Sequence, residues 1–333
     1  MDRVANIVVL MPVYRDWACA SAVSRALDDT LAEWPALRVR VLLVDDGSPE
    51  GAADWRPFAP QALLDISILR LRANLGHQRA ICAGLCHVHE SLPCDFVVVM
   101  DADGEDRPED ALRLVGLAVD SSQPIWFAER RKRMSGMAFR AGYFAFRFVH
   151  RILTGVSVRV GNFSVLRFSV LSRLVAMPEL WNHYAGAVFK SGLRFGTVPM
   201  DRGNRIAGNS QMNLVSLVSH GLSGIATFQE TVTTRILIFN AVGLVLLLST
   251  AATVIGTRTF TNLAIPGWAT YVIGFIVLSS MQLLALSFSL VFSAVASRNK
   301  MLFLPFRDYL GFVDCVVSLT APDADRDIAG RSD

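Results

Sequence analysis

Two long stretches without charge constrain this chain more than any other feature. They cover residues 236–256 and about 268–296, and between Arg235 and Ala296 the only charged residue is Arg258. A helix crosses a bilayer with about 20 apolar residues, and the longer second stretch can span with tilt. With 52% hydrophobic residues and a mean hydropathy of +0.40, the chain is too apolar for an average soluble domain. We therefore predict a transmembrane hairpin over residues 235–298.

The charges that flank the hairpin predict its orientation. Arg235 precedes the first span, whereas Arg298 and Lys300 follow the second. Basic residues favour the cytoplasmic side, so we expect a multi-pass protein of the inner (cytoplasmic) membrane with both termini in the cytoplasm. Residues 299–333 then form a cytoplasmic C-terminal tail, whose apolar part (301–319) is expected to lie along the membrane.

The first 130 residues alternate between apolar strand patterns and helical patterns. The predicted strands are Ala5–Met11, Val39–Val44, Ile66–Arg70, Phe96–Met100 and Ile125–Ala128. Alternation of this kind predicts an α/β fold with right-handed crossovers, in which flanking helices cover a mostly parallel, Rossmann-like sheet. We expect this domain to occupy residues 1–230.

A polar cluster follows each of the first four strands. The clusters are Pro12–Asp16, Asp45–Ser48, Asn74–His77 and Asp101–Asp103. The carboxyl ends of parallel strands meet at one edge of a sheet, which is where ligands bind in such folds. Four clusters at that edge predict a binding site there.

Asp101 and Asp103 are the candidates for holding a metal ion. No Lys or Arg is adjacent to them, and paired carboxylates suit Mg²⁺ or Mn²⁺, which in turn suits a diphosphate. By itself the stretch fits an ordinary polar turn equally well. The chain has neither a Gly-x-Gly-x-x-Gly motif after a strand nor a P-loop, so phosphates must be held by a metal and basic side chains.

Basic residues and amphipathic helices follow the predicted sheet. After the run at 129–133, a helix over about 136–154 would align Arg140, Arg147 and Arg151 beside aromatic residues. This pattern favours a membrane interface with anionic lipids, although a core-packing helix with a basic face is the alternative. The loop 201–210 combines arginines with glycines and could close over a phosphorylated ligand. A second amphipathic helix is predicted over 212–228.

Charge and cysteine content argue against nucleic-acid binding and against a zinc site. The net charge of +3 gives no argument for nucleic-acid binding, and the five cysteines form no Cys-x-x-Cys pair. On a helix, Cys82, Cys86 and His89 would share a face, but this spacing matches no usual zinc pair. A zinc site is therefore disfavoured.

Several of these motifs together resemble a known family. Pro12–Val13–Tyr14, Val44–Ser48, Asn74–Gly76 and Met100–Asp103 resemble successive motifs of family 2 glycosyltransferases with the GT-A fold. The segment 205–210 resembles the Arg-x-x-Gly-x-Ser loop of the polyprenyl-phosphate branch, which includes dolichyl-phosphate mannose synthases and bacterial undecaprenyl-phosphate glucosyltransferases. Where relatives often have Asp-Leu-Gln-Asp and Pro-Val-Tyr-Asn-Glu, this chain has Glu105 at the Gln position and Arg15–Asp16 at the end of the first motif.

The resemblance implies inverting transfer of one sugar from a UDP- or GDP-sugar to a polyprenyl phosphate such as undecaprenyl phosphate, for a cell-envelope glycan or lipid modification. The implied metal ligands are Asp101 and Asp103. The implied catalytic group comprises these two carboxylates and Glu105, Arg130 and Arg205. The implied substrate-binding residues are Pro12, Tyr14, Asp16, Asp45, Asp46, Asn74, Arg133, Arg202 and Ser210. Homo-oligomers are compatible with the family and with the apolar helices.

Three other interpretations fit parts of the same sequence. A processive polysaccharide synthase of the same superfamily would carry Gln-x-x-Arg-Trp and more spans, but no Arg-Trp pair follows Gln229. A non-catalytic membrane-complex subunit would not need the carboxylates and arginines. A small transporter would need more polar residues in the spans than Asn240 and Gln282.

Overall fold

The computed structural model describes residues 4–130, 137–156, 160–206, 222–261, 267–298 and 303–320. Two compact units make up the chain. The first, called here the sheet unit, comprises Met1–Tyr143, Ser157–Thr227 and Phe303–Asp333. The second, the hairpin unit, comprises Phe144–Val156 and Phe228–Leu302.

Eight strands in the described residues form one sheet. They are β1 (Ala5–Val13), β2 (Leu37–Asp45), β3 (Asp65–Leu71), β4 (Phe96–Val99), β5 (Ile125–Arg130), β6 (Ser164–Arg167), β7 (Gly196–Met200) and β8 (Val313–Ser318). Their order is β7-β5-β6-β4-β1-β2-β3-β8. The pairs β1–β2, β1–β4, β2–β3 and β5–β7 are parallel, whereas β6 runs antiparallel to β4 and β5, and β8 to β3. The predicted fold class is confirmed.

Both faces of the central strands are buried, which explains their nearly continuous apolar sequence. In β1, Ile7 and Val9 belong to one hydrophobic core, and Val8 and Leu10 belong to the other. This is the period of two that a strand imposes on its side chains. The five predicted strands agree with β1–β5 to within two residues at each end.

Helices cover the two faces of the sheet. In the sheet unit they are α1 (Trp17–Leu31), α2 (His77–Ser91), α3 (Pro108–Asp120), α5 (Leu171–Val175), α6 (Tyr184–Lys190) and, after the hairpin, the short α9 (Pro305–Asp308). Leucines and valines of α1 and α3 lie in the first core, and α2 supplies Ile81 and Leu85 to the second. Helix α4 (Met137–Thr154) coincides with the predicted helix at 136–154.

The segment after the hairpin differs from the expectation that it lies along a membrane. It adds β8 to the edge of the sheet, with Ser67 opposite Ser318 and Ile68 opposite Val317. Tyr309 is buried in the second core, and its hydroxyl donates a hydrogen bond to the Glu90 carboxylate. Pairing between strands more than 240 residues apart leaves no local pattern, so the sequence alone did not predict it.

The hairpin unit contains two long helices, α7 (Gln229–Phe260) and α8 (Trp268–Arg298). Both are long and apolar enough to cross a membrane, with mean hydropathy 2.2 and 2.1 over their most apolar windows, of which only 6% is buried. The amide of Asn240 in α7 donates to Ser287 Oγ in α8 at 3.1 Å. The Arg235 guanidinium donates to the Ile152 carbonyl at 2.5 Å and thereby caps the end of α4.

Two other predicted segments are described only in part. Of the helix predicted over 212–228, residues 222–226 are helical, and the residues before them lie outside the described part of the chain. The basic residues 131–133 also lie outside it.

Candidate active site

The loops that follow β1, β2 and β3 are tied together at the carboxyl edge of the sheet. The Asp46 amide donates to the Val13 carbonyl at 2.9 Å, and the Arg15 amide donates to Ser48 Oγ at 3.0 Å. Arg15 has a φ of 59°, a left-handed conformation that costs a non-glycine residue about 1–2 kcal/mol. The hydrogen bond to Ser48 holds this conformation. Strain of this kind clusters at functional sites.

Asp45 and Asp46 are both buried and both accept hydrogen bonds from the chain. Asp45 accepts from the Ser48 amide at 2.9 Å and lies 3.4 Å from Arg70 Nε. Asp46 accepts from the amides of Leu75 and Gly76 at 2.7 and 2.9 Å. Burial raises the pKa of Asp46, although these two amide bonds oppose the shift. The two carboxylates therefore fix the loops around the site, and their contact with a nucleotide stays a prediction.

A tight turn after β4 presents Asp101, Asp103 and Glu105. The carboxylate of Asp106, which is buried, accepts from the Asp101 amide at 2.9 Å, and Asp103 Oδ1 accepts from the Glu105 amide at 3.0 Å. Gly104 has a φ of 86°, which a residue with a Cβ rarely adopts. The turn thus holds three carboxylates within five residues at the end of a buried strand.

Two arginines of the loop 201–206 lie over this turn. Arg205 Nη2 donates to Asp16 Oδ2 at 2.8 Å, and its Nη1 lies 3.8 Å from Asp103 Oδ2. The hydrogen bond with Asp16 raises the pKa of Arg205 further above its usual range. Arg202 forms an ion pair with Glu105.

Backbone contacts hold the same loop against the turn. The Gly203 amide donates to the Glu105 carbonyl at 2.9 Å, and the Ile206 amide donates to the Asp103 carbonyl at 3.1 Å. A Cβ at Gly104 would lie 2.5 Å from Ile206 Cγ1, so only glycine fits beneath the loop. The structure thus brings together five residues selected from the sequence: Asp16, Asp103, Glu105, Arg202 and Arg205.

The remaining selected residues are placed as follows. Pro12 lies inside β1 opposite Val44, Tyr14 and Asn74 are exposed on their loops, and the Arg15 guanidinium lies 5.3 Å from the Tyr14 ring centre. Arg130 ends β5, but its side chain is outside the described part of the chain, as are Arg133 and Ser210. Their roles stay predictions.

His77 belongs to the site but was not selected from the sequence. Its Nε2 lies 3.3 Å from Asp101 Oδ1 and 3.0 Å from the Asn162 amide nitrogen. Desolvation lowers the pKa of His77. The hydrogen bond and charge of Asp101, with the charges of Asp46 and Asp106, outweigh it, so the pKa lies above its ordinary value. Its position directly after Gly76 in a strand-end cluster was the available signal.

The residues present fit a hard divalent cation. Asp101 and Asp103 offer carboxylate oxygens, and the Arg205 guanidinium already places positive charge beside Asp103. Within the described residues, no group of three or more His, Cys, Asp or Glu side chains could hold a metal alone. Mg²⁺ usually binds through one or two carboxylates and completes its coordination with water and substrate phosphates. The two carboxylates of this site match that mode of Mg²⁺ binding.

The cysteines of α2 take no part in this chemistry. Cys82 and Cys86 of α2 are buried in the second core among Leu and Val side chains, and burial raises the pKa of Cys82 well above its ordinary value. Buried thiols of this kind act as small apolar side chains.

Comparison with known sequences and structures gives consistent results. Glycosyl transferase family 2 matches residues 8–175, just over half of the 333 residues. The uncharacterized glycosyltransferase YkoT of Bacillus subtilis is 26% identical over 274 residues, covering 78% of each chain. YkcC of the same organism, also an uncharacterized glycosyltransferase, is 23% identical over 86% of this chain and 88% of its own.

Two further proteins match a smaller part of this chain or are less similar to it in sequence. The undecaprenyl-phosphate 4-deoxy-4-formamido-L-arabinose transferase of Erwinia tasmaniensis is 30% identical over 136 residues, which is 40% of each chain. The glucosyl-3-phosphoglycerate synthase of Mycobacterium tuberculosis, solved with Mn²⁺, UDP-glucose and phosphoglyceric acid, covers 68% of this chain and 80% of its own. Its TM-score is 0.48 and its identity 14%, a likeness too low to support an inference.

Proposed function

Because this chain belongs to glycosyl transferase family 2, we propose that it transfers a single sugar from a nucleotide-diphosphate sugar to a polyprenyl phosphate. The observation that carries the proposal is the cluster at the carboxyl edge of the sheet. There, three carboxylates of one turn meet two arginines of a facing loop. A site with both charges can hold a metal diphosphate and a second anion at once.

The carboxylates serve the donor. Asp103, helped by Asp101, would hold Mg²⁺ or Mn²⁺, which would supply positive charge for the diphosphate leaving group. Two residues position Asp101. The Asp106 carboxylate accepts a hydrogen bond from the Asp101 backbone amide, and His77 Nε2 contacts the Asp101 carboxylate. Glu105 holds Arg202 above the same turn.

The arginines serve the acceptor. A lipid phosphate is ionised at neutral pH, so one of its oxygens can attack the anomeric carbon without a strong general base. The new carbon–oxygen bond forms as the bond to the nucleoside diphosphate breaks, and the configuration inverts. Arg202 and Arg205, with Arg130 and Arg133, would reduce the repulsion between the two anions. An undecaprenyl phosphate substrate is named for the Erwinia tasmaniensis relative, which supports this acceptor class.

The hairpin would anchor the protein in the membrane. Strands that precede and follow the hairpin belong to one sheet, so both ends of the hairpin must lie on the same side of any bilayer it crosses. The flanking Arg235, Arg298 and Lys300 favour the cytoplasmic side. In α4, the exposed side chains of Phe144, Phe148 and Ile152 recur every four residues, a spacing that favours an interfacial helix. We propose the predicted domain division with β8 added to the catalytic domain.

Sugar transfer by the full-length protein in membranes tests the proposal. UDP- and GDP-sugars labelled in the sugar are supplied with undecaprenyl phosphate and Mg²⁺ or Mn²⁺, and label in the lipid fraction is counted. Asp103→Asn should reduce transfer on the order of a thousandfold, and chelation of the metal should abolish it. Asp120→Asn, an exposed carboxylate at the end of α3, is the matched control and should leave transfer unchanged. Full transfer by Asp103→Asn would refute the metal assignment, and no transfer from any donor by the unmodified protein would refute the function.

A further inference from the structure

Three segments of the sheet unit bring polar groups together beside His77, and the proposed chemistry gives these groups no role. Asn162 lies two residues before β6, Gln78 is the second residue of α2, and Tyr184 is the first residue of α6. The side chains of Asn162 and Gln78 are half-buried, and Tyr184 is fully buried. Hydrogen bonds connect all three to the His77 ring.

One backbone amide fixes the orientation of two side-chain amides. The Tyr184 amide can only donate, and it donates to Gln78 Oε1 at 2.8 Å. The other end of the Gln78 side chain, Nε2, therefore donates to Asn162 Oδ1 at 3.2 Å. A carboxamide has one accepting end and one donating end, so the donating end of Asn162 must face the next group. That group is the His77 ring, whose Nε2 lies 3.0 Å from Asn162 Nδ2.

Two hydroxyl groups hold the main chain of Asn162 by a separate route. Ser164 Oγ donates its single proton to the Asn162 carbonyl at 2.8 Å. The Tyr184 hydroxyl must therefore be the donor in its 2.8 Å contact with Ser164 Oγ. Burial raises the pKa of Tyr184, which keeps this hydroxyl protonated. Tyr184 thus acts on the side chain of Asn162 through Gln78 and on its main chain through Ser164.

His77 Nε2 has two neighbours of opposite character. The Asn162 amide nitrogen is a donor, whereas Asp101 Oδ1, which lies 3.3 Å from the same ring nitrogen, is an acceptor. Nε2 can accept from Asn162 when it carries no proton, and it can donate to Asp101 when it carries one. Because one neighbour holds the ring in either state, the position of the ring does not depend on its protonation.

We propose that Asn162 and Gln78 are positioning residues, which act through His77 to hold the Asp101 carboxylate in place for the metal ion. The inference rests on the proposed function, because that function makes Asp101 a metal ligand. A side chain that is already held in place loses less conformational freedom when it binds an ion. Residues that contact a metal ligand typically change metal affinity or activity by about 10- to 100-fold. Asn162 acts through one further residue, so its effect should be smaller.

Mn²⁺ binding to the full-length protein in detergent tests this inference at a single pH, with the EPR signal of the free ion as the readout. His77→Gln should weaken Mn²⁺ binding by about tenfold or more, and Asn162→Ala by about three- to tenfold. Gln78→Leu cannot orient Asn162 and should act in the same direction by a smaller factor. The double variant His77→Gln/Asn162→Ala should bind Mn²⁺ as His77→Gln alone does, because Asn162 acts only through the ring.

Tyr184→Phe is the matched control for a general loss of structure. It removes the buried hydroxyl but keeps the backbone amide that orients Gln78. Its unfolding temperature should therefore fall while its Mn²⁺ affinity stays unchanged. Asn162→Ala should show the opposite pattern, with weaker Mn²⁺ binding and a smaller fall in unfolding temperature. In the sugar-transfer assay Asn162→Ala should need more Mn²⁺ for half-maximal rate, and saturating Mn²⁺ should restore transfer.

The outcomes separate this inference from the proposed function. Unchanged Mn²⁺ affinity in Asn162→Ala, or an equal further loss when that change is added to His77→Gln, would refute the inference alone. Coupled losses of Mn²⁺ binding in a protein that transfers no sugar would refute the proposed reaction but support this role of Asn162. Absence of Mn²⁺ binding by the unmodified protein would refute the metal assignment and this inference with it.

Discussion

The sheet unit and the hairpin unit use the same apolar residue types in opposite ways. In β2 of the sheet unit, Leu42 and Leu43 are fully buried, whereas Leu246 of α7 is 62% exposed and Phe275 of α8 is 71% exposed. A soluble domain rarely exposes so large an apolar surface unless it meets a membrane or a partner. The contrast teaches that apolar composition fixes which groups avoid water, and that only the packing shows which of them other parts of the chain cover.

The same substitution in each unit should produce the largest contrast. Leu42→Ala leaves a cavity in the core and should lower the free energy of unfolding by about 2–5 kcal/mol. Leu246→Ala removes an outward side chain and should change it by less than about 0.5 kcal/mol. Urea unfolding of the full chain in detergent measures both, because five of its six tryptophans (17, 34, 55, 126 and 181) lie in the sheet unit. Equal losses would mean that the outer face of α7 is packed against protein.

The next largest effect on stability is expected for a side-chain hydrogen bond of the sheet unit. Tyr309→Phe keeps the buried ring but removes the hydroxyl that donates to Glu90. Because Glu90 is exposed and can return to water, we expect a loss of about 1 kcal/mol. The same urea titration measures it, and hydrogen exchange should show faster opening of β8. If β8 kept its full protection, Tyr309 would not be what anchors the strand.

The corresponding hydrogen bond of the hairpin unit should contribute less to stability. Asn240→Leu removes the hydrogen bond to Ser287, and such bonds between membrane helices contribute about 0.6 kcal/mol on average. Titration with SDS in mixed micelles, followed by hydrogen exchange of α7 and α8, measures the loss. Ser249→Ala is the control, because its hydroxyl bonds only within its own helix. A loss above about 2 kcal/mol would show that polar contacts dominate the hairpin as they do the site.

The smallest expected effect is a pH dependence at His77. Its pKa is raised in the folded chain, so the folded state binds the proton more tightly than the unfolded state does. The resulting stability is complete below the ordinary pKa of about 6.5 and is lost as the pH rises through the folded value. His77→Gln should flatten this slope between about pH 6 and 8 in buffer without divalent cations. The side chain is 44% exposed, so solvent screens the ion pair and the slope is shallow. An unchanged slope would show that another group causes this pH dependence of stability.

Much of the sheet was predictable, because its pattern is local. β1 to β5 were located from short apolar runs bounded by polar clusters, and β4 is buried along its whole length, as a run of Phe and Val predicts. The site was predictable in part for the same reason: Asp16, Asp103 and Glu105 lie at strand ends. The arginines of the facing loop were selected by composition, but their ion pairs with Asp16 and Glu105 depend on distances that the sequence does not contain.

Other parts of the site had no local signal. His77 looked like one more residue of a loop, and its contact with Asp101 arises because β3 and β4 end at the same edge of the sheet. Asp46 was predicted to contact the nucleotide, which stays a prediction, and the structure adds that its oxygens accept amide hydrogens from the next loop. The sequence does not show such hydrogen-bond partners, because they come from a loop about 30 residues away.

The sequence by itself determined the family, the alternating fold, the metal-binding carboxylate turn as a candidate and the apolar hairpin. These follow from periodicity and short motifs, which act over a few residues. Tertiary structure alone decided that the chain returns after the hairpin to complete the sheet, where β8 pairs with β3. The physical reason is that strand pairing is a backbone interaction, open to almost any sequence, whose partner is chosen by the free edge that the rest of the fold leaves available.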